Sequence, residues 1–283
     1  MGTIARVPGS SASRTRARAG RAGLSTLLVA SALGALFATA PAAARSRLAV
    51  SAPLRFGEFD AITYAEDGRP IGHAHLSISK DPDGRVRMKS RTAIDGGARN
   101  EANAEFTVGG DGRTLRLIAQ HIESFDEEGA SRGAIVIDHE RGTGRCERNR
   151  TGDSATIALP ESDRVANAVL NLLFAPIARD GLERLEFQLF LCRGGPRIID
   201  FAASMAPRVD AGGDHRVVDI EYRPDLGPLL RWLPDAVLPE LHFWLDADGN
   251  YLAHRIPLYT EGPEVLVIRS DLSPASLAPR SGD

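Results

Sequence analysis

Apolar and polar residues alternate along most of the chain after residue 70. Residues 74–79 alternate one by one, and we interpret residues 115–122 and 134–137 as further strand stretches of this kind. Such a period of two places successive side chains on opposite faces of a strand with one buried face. The same pattern returns in residues 185–192, 198–203, 216–222, 241–245, 251–258 and 265–269. Because the connections are short, we predict a mainly β fold, with about ten to twelve mostly antiparallel strands in a curved sheet or incomplete β-barrel.

Asp-Gly pairs mark several turns between these stretches. Glycine tolerates the positive φ that tight hairpins need, so each pair predicts a hairpin. The pairs are Asp67-Gly68, Asp83-Gly84, Asp111-Gly112 and Asp248-Gly249. A three-residue turn over 247–249 would place His242 opposite His254, with both beside Trp244. We interpret this group as a polar and aromatic cluster rather than an acid–base pair, because no nucleophile or carboxylate is placed to work with it.

One segment, at about residues 163–178, predicts an apolar helix. Ser162-Asp163 offers an N-terminal cap, and the polar stripe of the helix is narrow, so most of its surface requires burial. Its apolar residues at helical spacing include Val165, Val169, Leu172 and Leu173. Two placements stay open. The helix packs on one face of the sheet as ordinary core, or it acts as a lid or plug of the curved sheet and lines a pocket.

A second apolar segment, residues 226–239, is interrupted by prolines. Pro228, Pro234 and Pro239 exclude one regular helix. We expect a short helical turn and an extended connector, which either seals the core or forms an apolar lip at a ligand entrance. The two segments together supply the candidate ligand-binding residues. These are Val169, Leu172, Leu173, Phe174, Leu230, Trp232 and Leu233.

The N-terminal region has the order of a secretory signal peptide. Five arginines and no acidic residue precede an apolar stretch at 24–37, and Ala-x-Ala sites follow at 38–40 and 42–44. The stretch is too short for a bilayer core, which needs about 20 residues, and no later segment is long enough. We expect cleavage near Ala44, a periplasmic or secreted protein, one domain over 45–272, and a disordered tail over 273–283.

Charge and cysteine content narrow the possible functions. Removal of the signal peptide takes away five arginines and makes the formal net charge of −3 more negative, which disfavours nucleic acid as a partner. Cys146 and Cys192 are the two cysteines, and an even number in an exported chain favours a disulfide. Closing that loop would stabilise the fold by about 4 kcal/mol. Two buried thiols on neighbouring strands are the alternative.

The sequence carries no nucleophile elbow, zinc-protease, phosphate-loop or dinucleotide motif. His73 and His75 share one face of a predicted strand and could bind a metal with His121 or His139. Two histidines without a third ligand in register usually form a polar face. We therefore predict no metal, no cofactor and no catalytic residue, and leave open an enzyme that uses the histidine pairs.

Four arginines lie within ten residues, at Arg141, Arg145, Arg148 and Arg150. They could form a basic patch that meets a phospholipid head group or an envelope protein. The alternative is a solvated strand edge that discourages association between sheets, which we favour.

Residues 56–78 begin with Phe-Gly-Glu-Phe-Asp-Ala-Ile-Thr-Tyr and end with Gly-Arg-Pro-Ile-Gly-His-Ala-His-Leu-Ser-Ile. They resemble the opening hairpin of uncharacterised bacterial periplasmic families, domains of unknown function. In outline the chain is similar to the lipoprotein-carrier (LolA/LolB-like) half-barrels. That resemblance implies an incomplete barrel whose concave apolar face, covered by helices, holds acyl chains.

The leading hypothesis is a non-catalytic periplasmic protein that holds a lipid or other hydrophobic molecule in a half-barrel. Its basis is the apolar surface of the two segments outside the regular sheet. A module for envelope protein–protein interaction or assembly is the alternative, and an enzyme built on the histidine pairs is the second alternative.

Overall fold

The computed structural model describes the chain in six stretches, all within the unit formed by residues 45–283. They are residues 54–109, 114–148, 152–206, 217–225, 241–258 and 263–277. The predicted signal peptide at 1–44 lies outside them, and so do Leu230, Trp232 and Leu233.

Fourteen strands form one antiparallel sheet within these stretches. Each strand pairs with the next in sequence except β8 and β9, which are the two edges, and β1 pairs with β14 near the centre. The strands are β1 (Gly57–Tyr64), β2 (Pro70–Lys80), β3 (Val86–Ile94), β4 (Arg99–Val108), β5 (Leu115–Phe125), β6 (Ser131–Asp138), β7 (Thr143–Arg148), β8 (Asp153–Ala158), β9 (Arg184–Leu191), β10 (Arg197–Met205), β11 (Val217–Pro224), β12 (Leu241–Asp246), β13 (Tyr251–Pro257) and β14 (Glu264–Arg269).

The predicted mainly β fold with a curved antiparallel sheet is confirmed, and the sheet does not close by hydrogen bonds. It has more strands than expected because some carry little hydrophobic alternation. Strand β8, for example, is exposed along most of its length, and a strand without a buried face has no period-two apolar signal. The Asp-Gly turns at Gly68, Gly84 and Gly249 are confirmed, with φ of 80°, 85° and 80°. The Asp111-Gly112 pair lies outside the described residues.

The sheet is curved so that β9, one of its two edge strands, lies inside the fold. One face of β9, with Phe187 and Leu189, belongs to the main core. The opposite face, with Phe190, packs against Ile137 of β6 and Cys146 of β7. Both faces of β9 are therefore buried, and strands from the other end of the sheet cover it.

A disulfide and a close backbone approach hold these two ends of the sheet together. Cys146 on β7 forms the predicted disulfide with Cys192, which directly follows β9. Gly144 on β7 faces the Phe190 ring, and an added Cβ would lie 2.6 Å from the ring atom Cε2. Only glycine allows the two strands to approach this closely.

Side-chain amides fix the chain just before the helix. The Nδ2 of Asn167 donates to the Phe190 carbonyl at 2.8 Å, and its Oδ1 accepts from the Phe190 N–H at 3.0 Å. Gln120 on β5, which is 1% exposed, donates to the Val165 carbonyl at 2.8 Å and accepts from the Ala168 N–H at 2.7 Å. The buried amides thus satisfy a backbone path that has no regular structure of its own.

The α-helix of the described region, α1 (Leu170–Asp180), is shifted from its predicted bounds of 163–178. Its start is later because the preceding residues bond to β9 and Gln120. Its end is later because the helix continues through Pro176 to Gly181, whose N–H bonds the Pro176 carbonyl and whose φ is 70°. The proline forfeits one helical hydrogen bond, and burial on the sheet offsets that loss.

Helix α1 packs on β9–β12 and lies inside the curve of the sheet. Leu173 and Phe174 are 1% and 0% exposed. The Phe174 ring contacts Phe187, Tyr222 and Phe243, with ring centroids 5.3 to 5.5 Å apart. Inward residues of β2–β5 belong to the same core, so the helix fills the interior as a plug.

The β12–β13 hairpin has a different register from the expected one. A β-bulge follows Trp244, so that His254 lies opposite Phe243 and His242 lies opposite Arg255. The prediction that the two histidines share a face was wrong, because one extra residue moves a side chain to the other face. His242 stacks on Trp244, with centroids 5.4 Å apart, whereas His254 stacks on Phe243 at 5.2 Å.

The C-terminal segment covers the outer side of this hairpin. Leu272 and Leu277 pack on the cluster of Trp244 and Ile268. Pro274–Ser276 forms a short 3-10 helix within the segment predicted to be a disordered tail. Residues 278–283 of that segment lie outside the described residues.

Candidate functional site

An apolar cavity of about 130 Å³ lies between the N-terminal end of α1 and the concave face of the sheet. Strands β1–β5 form one wall, β12–β14 form another, and residues 167–171 close it from the helix side. We call it the inner cavity. Its large apolar lining residues include Phe59, Leu76, Met88, Ile122, Leu170 and Ile256.

The inner cavity exists because short side chains lie side by side on the concave face. Ala61 on β1 is opposite Ala74 on β2, which is opposite Thr92 on β3, which is opposite Asn100 on β4. All four line the cavity. Protein interiors are otherwise close-packed, so a row of small residues opposite a helix leaves space that the helix does not fill.

A second, more open cavity of about 470 Å³ adjoins the inner one; we call it the outer cavity. It is lined by residues 54–60, the β12–β13 turn, the end of β14, and Leu172 and Ala175 of α1. Four residues line both cavities, so the two cavities are neighbours. They are Phe59, Leu76, Asn171 and Tyr251.

His254 is the principal polar group of the inner cavity. Its Nδ1 lies 2.7 Å from the Tyr251 hydroxyl, and that hydroxyl lies 3.1 Å from the Val267 carbonyl. Burial lowers the pKa of His254 to about 4 and raises the pKa of Tyr251, so both side chains are neutral at pH 7. The ring of His254 keeps some accessible surface, and it lines the cavity.

The hydrogen bonds of Tyr251 decide the tautomer of His254. A tyrosine hydroxyl has one proton, and both of its contacts are hydrogen bonds only if it donates to the Val267 carbonyl and accepts from Nδ1–H. Nε2 of the neutral imidazole is then unprotonated and acts as a hydrogen-bond acceptor.

Asn171 is the second polar group, and it lines both cavities. Its side chain is 8% exposed. Among the described residues its amide has no hydrogen-bond partner, and its polar atoms are not among the fully buried ones that lack a partner. The helix therefore presents an accessible donor and acceptor where the two cavities adjoin.

Charged side chains are confined to the outer cavity and are paired. Arg269 bonds Asp271 through Nε at 2.6 Å and through Nη2 at 2.9 Å, and Arg55 lies 3.8 Å from Asp248. Of the described residues around the inner cavity, none is Asp, Glu, Lys or Arg. His75, which also lines the inner cavity, is paired with Asp60 of the outer one.

The structure separates the candidate ligand-binding residues predicted from sequence. Leu172 lines the outer cavity. Val169, Leu173 and Phe174 belong to the packed core and line neither cavity. Leu230, Trp232 and Leu233 lie outside the described residues, so their part in a site stays a prediction.

Sequence reasoning missed Asn171 and His254 as site residues. Asn171 was visible as a polar residue on an apolar helix, which is a signal for a cavity-facing position. The inward direction of His254 had no such signal, because it depends on the β-bulge after Trp244.

The remaining candidate groups form no site among the described residues. No group of three or more potential metal ligands occurs there. The Nδ1 of His75 lies 2.9 Å from Asp60. In the arginine run, Arg141 pairs with Asp138 at 3.4 Å and Arg145 with Glu147 at 2.7 Å, while Arg150 lies outside the described residues.

In the part of the chain that the structure describes, no helix has the length and apolar character needed to cross a bilayer. No protein-family model matches the chain, and no curated protein matches it by sequence. Its structure is similar to that of a β-barrel-like protein of the domain of unknown function DUF1849 from Brucella abortus. The two are 9% identical over 75% of this chain and 94% of that chain, with a TM-score of 0.40. The likeness to lipoprotein carriers stays a prediction.

Proposed function

We propose that the protein is a non-catalytic binding protein that holds a hydrophobic small molecule or lipid in the adjoining cavities between α1 and the concave face of the sheet. The observation that carries this proposal is the mostly apolar inner cavity, whose wall includes His254 and Asn171 among its polar groups. A mostly apolar cavity with a few placed polar groups is the usual form of a small-molecule site.

The cavity volumes support a ligand that reaches from the outer cavity into the inner one. The inner volume of about 130 Å³ is close to the roughly 150 Å³ cavity that accommodates benzene in an engineered core. The outer volume of about 470 Å³ falls within the approximate 300–1,000 Å³ of small-molecule sites. The inner cavity suits a ring or short chain segment, and the outer cavity suits a longer body.

We also propose that binding takes place in the periplasm or outside the cell. The Cys146–Cys192 disulfide supports this, because disulfides persist in oxidising compartments. The arginine-rich, apolar N-terminal pattern of residues 1–44 points the same way.

Two observations favour binding over the alternatives. An enzyme built on the histidine pair requires His242 and His254 to act together, and they lie on opposite faces of the sheet. An interaction module built on the arginine run requires available guanidinium groups, and Arg141 and Arg145 are paired with acidic neighbours.

The test uses a single substitution that places a larger side chain in the inner cavity. Ala102 on β4 lines the cavity, so Ala102→Leu should occupy part of its volume. We expect the hydrocarbon probe diphenylhexatriene to bind the wild-type protein with increased fluorescence and to bind Ala102→Leu about tenfold more weakly or worse. The matched control is Ala119→Leu on β5, which lines neither cavity.

Native mass spectrometry with organic extraction, on protein purified without detergent, provides a second measurement. We expect a bound species in the lipid range for wild type and Ala119→Leu, and its loss in Ala102→Leu. Absence of probe binding to the wild type, or equal binding by both leucine variants, would refute the proposal.

A further inference from the structure

The Asn171 amide is placed to recognise a polar group within a ligand. It is 8% exposed, lines both cavities and has no hydrogen-bond partner among the described residues. Its polar atoms are not among the fully buried unpartnered ones, so they are accessible from the cavities that it lines. Asn171 offers one acceptor oxygen and two donor N–H groups at the junction of the two cavities, so a bound molecule with a polar group at that depth satisfies it.

His254 adds a directional requirement. Its Nδ1–H donates to Tyr251, so Nε2 has a free lone pair, and no described residue donates to it. A ligand group that meets this nitrogen has to supply an O–H or N–H. An ester or ether oxygen is an acceptor only, and it would leave Nε2 unpaired.

The absence of charged groups among the described residues of the inner cavity sets the charge of the ligand. Its described walls hold no Asp, Glu, Lys or Arg, and the exposed histidine among its lining residues, His75, is paired with Asp60 at 2.9 Å. Moving an ionised group into an apolar environment without a partner is far costlier than moving a neutral hydroxyl. At the outer cavity, Arg269 is already neutralised by Asp271.

We infer that the ligand is an uncharged hydrophobic molecule with a hydroxyl group, which donates to Nε2 of His254 and exchanges hydrogen bonds with the Asn171 amide. Long-chain alcohols and partial acylglycerols have this chemistry, whereas ionised fatty acids and phospholipid head groups do not. The inference rests on the proposed function and specifies the ligand class of the same cavities.

The test compares three molecules with the same ten-carbon chain as competitors of diphenylhexatriene. Decanol offers a donor, decyl methyl ether offers only an acceptor, and decanoate at pH 8 carries a charge. We expect the wild-type protein to bind decanol about tenfold more tightly than the ether, because the ether leaves Nε2 unpaired. We expect decanoate to bind more weakly than decanol by about the same factor or more.

Two variants link this preference to the named residues. Asn171→Leu keeps the approximate size of the side chain and removes the amide, and His254→Asn keeps a donor near Tyr251 and removes Nε2. Each should bring the ratio of decanol to ether affinity close to one, as measured by direct binding of each ligand. Asn103→Leu on β4 is the matched control, since Asn103 lines neither cavity, and it should keep the wild-type ratio.

The outcomes separate the two proposals. If diphenylhexatriene does not bind, the binding function itself fails. If the probe binds but the ether or decanoate competes as well as decanol, the binding function stands and the inferred ligand class is overturned. Retention of the alcohol preference by both Asn171→Leu and His254→Asn also overturns it, even if either variant is less stable.

Discussion

The burial of His254 should make the stability of the protein depend on pH in a defined window. In the unfolded chain a histidine takes up a proton near pH 6.5, whereas burial lowers the pKa of His254 to about 4 in the folded protein. Between these values the unfolded state binds more protons than the folded state. The free energy of unfolding contributed by this group is therefore complete above pH 6.5 and is lost as the pH falls toward 4.

The size of the effect follows from the displacement of the pKa. A difference of one pKa unit is about 1.4 kcal/mol, so lowering the pKa of His254 to about 4 corresponds to a loss of about 3 kcal/mol on acidification from pH 7 to pH 4. The imidazole contacts the neutral Tyr251 side chain and the Phe243 ring. Neither carries a charge that would offset the cost of protonation.

The assay is urea denaturation of wild type and His254→Asn at pH 7.5, 6, 5 and 4, followed by tryptophan fluorescence. The variant lacks the titrating ring, so the difference in unfolding free energy between the two proteins isolates His254 from other acid-sensitive groups. We expect that difference to shift by about 3 kcal/mol against the wild type over the window. A difference that stays constant with pH would show that the ring is solvated and would refute the reasoning.

Two further predictions concern the contact between the ends of the sheet. Replacing both Cys146 and Cys192 with alanine should lower the free energy of unfolding by about 4 kcal/mol, since the bridge spans 46 residues; an unchanged urea midpoint would contradict this. Gln120→Leu leaves the Val165 carbonyl and the Ala168 N–H without a partner and should cost about 3 kcal/mol in the same assay. A loss below about 1 kcal/mol would show that water replaces the amide.

The fold class was predictable because it depends on local patterns. Period-two alternation and the Asp-Gly turns report one buried face and tight connections, and neither requires knowledge of distant contacts. The disulfide was predictable for a similar reason, because an even cysteine count in a chain with a predicted signal peptide favours pairing whatever the fold. The number of strands was not, because an exposed edge strand such as β8 has no apolar face to detect.

The helix boundaries and the site depended on long-range contacts that no local pattern reports. Val165 has helical spacing with its neighbours, but it forms a bridge to Gln188 of β9 instead. The Gln120 side chain, 45 positions earlier, donates a hydrogen bond to its carbonyl. The inner cavity required the cross-strand alignment of Ala61 and Ala74 with Thr92. The β-bulge after Trp244 determines that His254, and not His242, lines the inner cavity.

The pairing of β1 with β14 places the first and last described strands side by side near the centre of the sheet, with a consequence for how the molecule folds. Until residues 264–269 have been synthesised, β14 cannot join β1 to β13, and both strands present unpaired edges open to wrong partners. The inner cavity draws its walls from strands on both sides of β14, so it forms only after synthesis of that strand. A chain that loses β14 should therefore lose the inner cavity and expose two strand edges that favour aggregation.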